Sequence, residues 1–201
     1  LFFPAAAAEV SQVWRVSGLR GTGSDSYSVR DLFVPERHGV CDDRFEPGPL
    51  YVFDTNHVFA VGFASVALGI ARASLDAFVD LAVNKRPRGM HGVLREQALV
   101  QSQVAQAEAA WRSARSLLNE AIDEAWQAAA ERGALTLDER VALRLATTFA
   151  IQRAAEVVDT AYHLAGATAI FNSNAFERRF RDVHAVTQQM QARQDHYETV
   201  G

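Results

Sequence analysis

The sequence predicts a mainly α protein, an up-and-down four-helix bundle with a short N-terminal β segment. Three observations carry that reading. From about Asp54 onward, apolar and small residues recur at helical spacing. The helical segments are joined by short breaks at Arg86–Gly92, around Gly133 and at Ala167–Asn174, which makes successive helices antiparallel. Strand-like alternation is confined to Val13–Pro35.

Taken in order, Trp14–Leu19 (WRVSGL) is short and β-rich, and Thr22–Glu36 alternates, with Tyr27 and Val29 on one face and Ser26, Ser28 and Arg30 on the other. Gly18, Gly21 and Gly23 mark turns, and Pro35 closes the last strand because it cannot donate to a ladder. A couple of strands need partners to make a stable sheet. Glu36–Leu50 is a loop, so residues 1–50 read as the end of a β unit plus linker and residues 51–201 as the bundle.

Asp54, Thr55 or Asn56 caps a first helix running to about Lys85. A second runs from about Leu94 to Arg132, with a seam of Val100, Val104, Ala107, Trp111, Ala114, Leu118, Ala121 and Ala125, and Gly133 ends it. Thr136 with Glu139 forms a capping box for the third, which reaches about Ala165, is apolar on most sides and should be central. Gly166 fits its C-terminus and Asn174 the N-cap of a fourth helix, FERRFRDVHAVTQQM, running to Gln191. His196–Gly201 starts one more.

Composition bounds the function. Of 201 residues, 49% are apolar and 22% charged, and the net charge of −4 points away from nucleic acid and anionic membrane. The run Val58–Ala71, about 14 residues, is short of the roughly 20 that cross a bilayer. A single cysteine, Cys41, rules out an internal disulfide and reads as a small loop residue. No secretory signal is visible in LFFPAAAAEV, which gives a cytoplasmic reading, and without an initiator Met the chain reads as part of a longer protein. Broad apolar helices argue for oligomerisation.

Chemistry-bearing patterns are sparse. The six histidines, at 38, 57, 91, 163, 184 and 196, form no metal-binding pair. Arg86 and Arg88 beside glycines read as a solvated basic turn or an anion site, and the Gly-rich Gly18–Ser24 stretch is a weak phosphate cradle. Arg178, Arg179, Arg181 and Asp182 read as structural ion pairs along a helix, and Asp159 with His163 as a satisfied pair one turn apart.

Four stretches in order resemble the acyl-CoA dehydrogenase superfamily over nearly the whole chain. Trp14–Ser24 with Asp31–Glu36 (DLFVPE) resembles the end of its middle β-domain. Ala67–Asp76 (ALGIARASLD) and Leu99–Ala109 (LVQSQVAQAEA) resemble the first two helices of its C-terminal bundle. Ala165–Gly166 and Glu177–Asp182 (ERRFRD), followed by Thr187–Gln188, resemble its flavin-contacting turn and the helix after it. The resemblance is closest to the reduced-flavin-dependent monooxygenases of two-component systems.

The resemblance implies a flavin, FMN or FAD, held between β-domain and bundle, with a neighbouring subunit of a homotetramer contributing. It places Thr22 and Ser24 toward the cofactor, and with them Ala165–Gly166, which replaces a Gly-Gly. Arg86 or Arg88 takes the part of the Arg in the family's R-x-x-F-G motif, whose Phe is absent here. The dehydrogenases' catalytic Glu falls near Gln191, which cannot remove a proton, and the alternative base position lies near Phe59. The monooxygenases often carry a His where Gln189 stands, with His184 a turn and a half earlier. Gln189, Gln191 and His184 are therefore the candidate catalytic residues. The expected function is oxygenation of a small aromatic or heterocyclic substrate with flavin supplied by a separate reductase. An acyl-CoA dehydrogenase with a displaced base and a non-catalytic structural fragment are the alternatives.

Overall fold

The computed structural model describes residues 1–40 and 47–201; Cys41 lies outside them. Four long helices pack together, α1 (Thr55–Asn84), α2 (Ala98–Arg132), α3 (Leu137–Ala165) and α4 (Phe176–Thr187), and a one-turn α5 (His196–Val200) follows. Their ends are set by local chemistry. The Asp54 carboxylate accepts the His57 N–H at 2.9 Å at the start of α1. Gly133, at φ 65°, turns the chain out of α2. Thr136 and Glu139 form the expected capping box. Gly166, at φ 54°, ends α3.

Helix α3 is central: α1 and α2 pack along it and α4 crosses α1 and α3. Ala64, Ala67 and Ala71 of α1, Ala107, Ala114 and Ala121 of α2, and Ala146, Ala150 and Ala154 of α3 are buried in one core. Small side chains let the helix axes approach, and Leu75, Leu143, Ile151, Val157 and Val158 fill the remaining space. The Trp111 indole donates to the Leu68 carbonyl at 2.9 Å and ties α2 to α1. A second buried cluster, around Phe78, Leu94, Ala161 and Phe176, closes the far end.

Several expectations are corrected. The β segment is only two three-residue strands, β1 (Glu9–Ser11) and β2 (Ser26–Ser28), paired antiparallel with Val10 opposite Tyr27. Trp14–Leu19 and Val29–Pro35 are not strands: among the described residues they find no ladder partner, so alternation alone does not make them β. Helix α2 starts at Ala98, after a 3-10 turn at Leu94–Glu96. The Ala175 backbone occupies the N-cap of α4, while Asn174 serves it by accepting the Phe176 N–H at 3.1 Å. Helix α4 ends at Thr187, not Gln191, because Gln189 is extended and its side chain accepts the Gln191 N–H. The apolar run of α1 extends beyond the expected 14 residues and is long and apolar enough to cross a membrane; its inner face is committed to the bundle core.

Candidate functional site

The site forms where the N-terminal arm lies on α4. Gly18 packs so tightly that a Cβ there would sit 2.0 Å from the Arg181 carbonyl oxygen, so only glycine fits. The next residue, Leu19, takes a left-handed conformation at φ 52°, and its N–H donates to the Asp182 carboxylate at 2.7 Å. The Leu19 carbonyl accepts from the Trp14 indole at 3.2 Å and the Thr22 hydroxyl at 2.8 Å. Arg181 donates to the Ser17 carbonyl while its guanidinium is paired with Glu177. The arm is thus fixed on α4 by contacts the sequence does not advertise.

Beneath this turn lies a cavity of about 490 Å³. Trp14, Leu19, Phe63 and Ala185 give it apolar walls, and Thr22, Ser24, Gln188 and Gln189 give it polar edges. No ionisable side chain lines it among the described residues. Flat apolar walls with hydroxyl and amide edges suit a planar heteroaromatic ring, which offers apolar faces and a hydrogen-bonding rim.

The predicted residues separate into four places. Thr22, Ser24 and Gln189 meet in this cavity. Gln191 does not reach it: it is 1% exposed, accepts from Arg144 and donates to Asn56 at 3.3 Å, while its N–H donates to Gln189 at 2.6 Å. It anchors the Met190–Ala192 turn to α1 and α3, and Gln152 adds a bond to the Ala192 carbonyl at 2.9 Å. His184 faces a different cleft, of about 430 Å³, lined also by Glu156, Asp159 and Arg193.

The histidine's Nε2 lies 2.8 Å from the Asp159 carboxylate, which therefore pairs with His184 rather than with His163; the His163 Nδ1 meets the Asp159 backbone carbonyl instead, at 2.7 Å. Side chains four apart on α3 are neighbours, but α4 brings a better-aimed ring across. The expected ion pairs on α4 are likewise reduced to Arg181–Glu177: Asp182 serves Leu19, and Arg179 donates to the Ala73 carbonyl at 2.9 Å.

Ala165, Gly166, Arg86 and Arg88 gather at the opposite end of α1. Phe63 and Lys85 are 22 residues apart, about 30 Å at the helical rise. There Lys85 donates to the Ala165 carbonyl and, at 2.6 Å, to the Thr168 hydroxyl, and burial lowers its pKa. Arg86 and Arg88 are exposed. Trp14, Phe63, Gln188 and the Gly18–Asp182 clasp are site features that sequence reasoning missed. Phe63 stands one turn beyond Phe59, which is exposed and does not line the cavity.

Residues 61–194 match the family model for the acyl-CoA dehydrogenase C-terminal domain. The chain belongs to the acyl-CoA dehydrogenase family. It is 35% identical over 192 residues to an indole-3-acetate monooxygenase of Pseudomonas putida, covering 92% of this chain and 48% of that protein. It is 28% identical over 192 residues to the oxygenase subunit HsaA of a flavin-dependent monooxygenase of Rhodococcus jostii, covering 88% of this chain and 49% of that one. Among solved structures, XiaF from Streptomyces sp., in complex with FADH2 and glycerol, superposes with a TM-score of 0.86 at 23% identity. That match covers 98% of this chain and 53% of XiaF and shows the shared fold. The chain therefore spans about half the length of the curated relatives it matches.

Proposed function

We propose that this chain is the C-terminal part of the oxygenase component of a two-component monooxygenase, which uses reduced flavin to oxygenate a small aromatic or heterocyclic substrate. The observation that carries the reading is the neutral cavity: among its described lining residues, none is a carboxylate able to remove a substrate proton, as a dehydrogenase requires. The 35% identity to an indole-3-acetate monooxygenase supports the same branch. When bound, the reduced flavin supplies the electrons that activate oxygen.

In this reading Trp14 and Phe63 sandwich the ring region and keep water from it. Thr22 and Ser24 hydrogen-bond its rim, and Gln188 and Gln189 orient the substrate from the end of α4. Gln189 is held for that by its bond to the Gln191 N–H, so Gln191 is a positioning residue. Arg86, Arg88, Ala165 and Gly166, about 30 Å away along α1, serve the flavin of a neighbouring subunit. A homotetramer is further supported by the exposed apolar side of α1, where Val58 is 45%, Phe59 55% and Val66 50% accessible. FAD and FMN both fit this division, with a separate reductase as the source of reduced flavin.

The test uses the complete gene product, mixed anaerobically with reduced FMN or FAD and then with oxygen in a stopped-flow spectrometer. Flavin reoxidation markedly slower than for free flavin, with oxygen incorporated into an added indole or phenol, is the expected result. Immediate reoxidation together with bleaching of bound FAD by an acyl-CoA would replace this reading with the dehydrogenase.

A further inference from the structure

On the other side of the Arg20–Thr22 turn lies a second cleft, of about 530 Å³, and its chemistry differs from the neutral cavity. Arg20, Arg178 and Arg181 line it, with Gly21, Thr22 and Asp182. In a chain of net charge −4, this is a local concentration of positive charge. The nearby acidic groups are already engaged. Glu177 binds Arg181 through two hydrogen bonds, of 2.7 and 3.0 Å, and Asp182 accepts the Leu19 N–H. Arg20 and Arg178 have no hydrogen-bond or ion-pair partner among the described residues and are exposed. The neighbouring Arg179 feels the surplus: burial, then the positive charge of Arg178, lowers its pKa.

We propose that this cleft binds an oxyanion group, a phosphate or a carboxylate, carried by a ligand whose flat ring lies in the neutral cavity. The ring's placement rests on the function proposed above; the anion site stands on the arginines. Leu19 and Thr22 line both spaces, so one rigid turn separates ring from anion. A guanidinium presents paired N–H groups that match the two oxygens of a phosphate or carboxylate. Two such forks, Arg20 from the turn and Arg178 from α4, face one cleft from different elements. The Gly18–Asp182 clasp fixes the turn that carries Arg20 against α4, which carries Arg178. The two possible sources are the phosphate of the flavin and a carboxylate on an aromatic substrate.

The experiment measures binding of inorganic pyrophosphate, FMN and phenylacetate to the complete gene product and to its R20Q/R178Q and R20K/R178K variants by calorimetry at low salt. Melting curves verify that the variants fold. The expected result is pyrophosphate binding weakened about tenfold or more in R20Q/R178Q and partly regained in R20K/R178K. Weakened FMN with unchanged riboflavin then assigns the site to the flavin phosphate. Weakened phenylacetate with unchanged phenylacetamide assigns it to a substrate carboxylate. If all three probes bind R20Q/R178Q as they bind the wild type, or none binds the wild type, the proposal is overturned. Pyrophosphate binding that depends on the two arginines in a protein indifferent to flavin would leave the anion site standing and remove the monooxygenase reading.

Discussion

Near Phe63, helix α1 borders a cavity without charge, walled by Trp14 and fixed beneath a turn that Asp182 and Gly18 clasp to α4. About 30 Å further along the same helix, it ends in a cationic corner where Lys85 caps the Ala165 carbonyl and Arg86 and Arg88 stand in solvent. Both regions are closed by long-range contacts, Leu19 to Asp182 in the first and Lys85 to Ala165 in the second; the first is defined by shape and the second by charge. The difference teaches what the two ends of one helix can offer: aromatic walls suit a flat ring, and guanidinium and ammonium groups suit an anion.

The sharpest way to break the comparison is Gly18→Ala. A Cβ pressed to 2.0 Å from a backbone oxygen forces the turn off α4. We expect a loss of about 1–3 kcal/mol in stability, typical of overpacking, and a fall in flavin affinity of tenfold or more, read by thermal melts and flavin titration. Lys85→Met at the other end leaves the Ala165 carbonyl without its cap and should cost about 1 kcal/mol. It should leave the surroundings of Trp14 untouched, as near-ultraviolet circular dichroism would register.

A pH series sharpens the cavity end. His57 is buried at the start of α1 against Phe53, and burial lowers its pKa, Asp54 only partly opposing this. The unfolded chain then binds the proton that the folded chain resists, so stability falls as pH drops below about 6.5. His57→Gln should flatten that fall, as denaturant titrations at pH 7.5 and 5.5 would reveal. The smallest effect is expected from Ser24→Ala: its hydroxyl makes no hydrogen bond among the described residues, so stability should stay within about 0.5 kcal/mol. Flavin affinity alone should weaken.

Much of the bundle was legible because its signals are local. Asp54, Thr136 with Glu139, Gly133 and Gly166 act within a turn of themselves, and the alanine seam repeats along each helix. The strands were over-read because alternation describes a face and not a ladder, and the ladder depends on partners. The cavity was partly legible, since Thr22, Ser24 and Gln189 followed from family resemblance, but its walls and clasp were not. Leu19 and Asp182 are 163 residues apart, and Gln191 and Asn56 are 135 apart, beyond the reach of any periodicity. His184 and Asp159 make the same point: nearness in sequence suggested His163, and tertiary packing chose otherwise.

The central claim is that the neutral cavity receives the flavin ring. A crystal structure of the complete gene product with bound flavin tests it most directly. The account predicts the ring against Trp14 and Phe63, with Thr22 and Ser24 at its rim. A ring seated instead at the Lys85–Gly166 corner, with the cavity left to solvent, would contradict it.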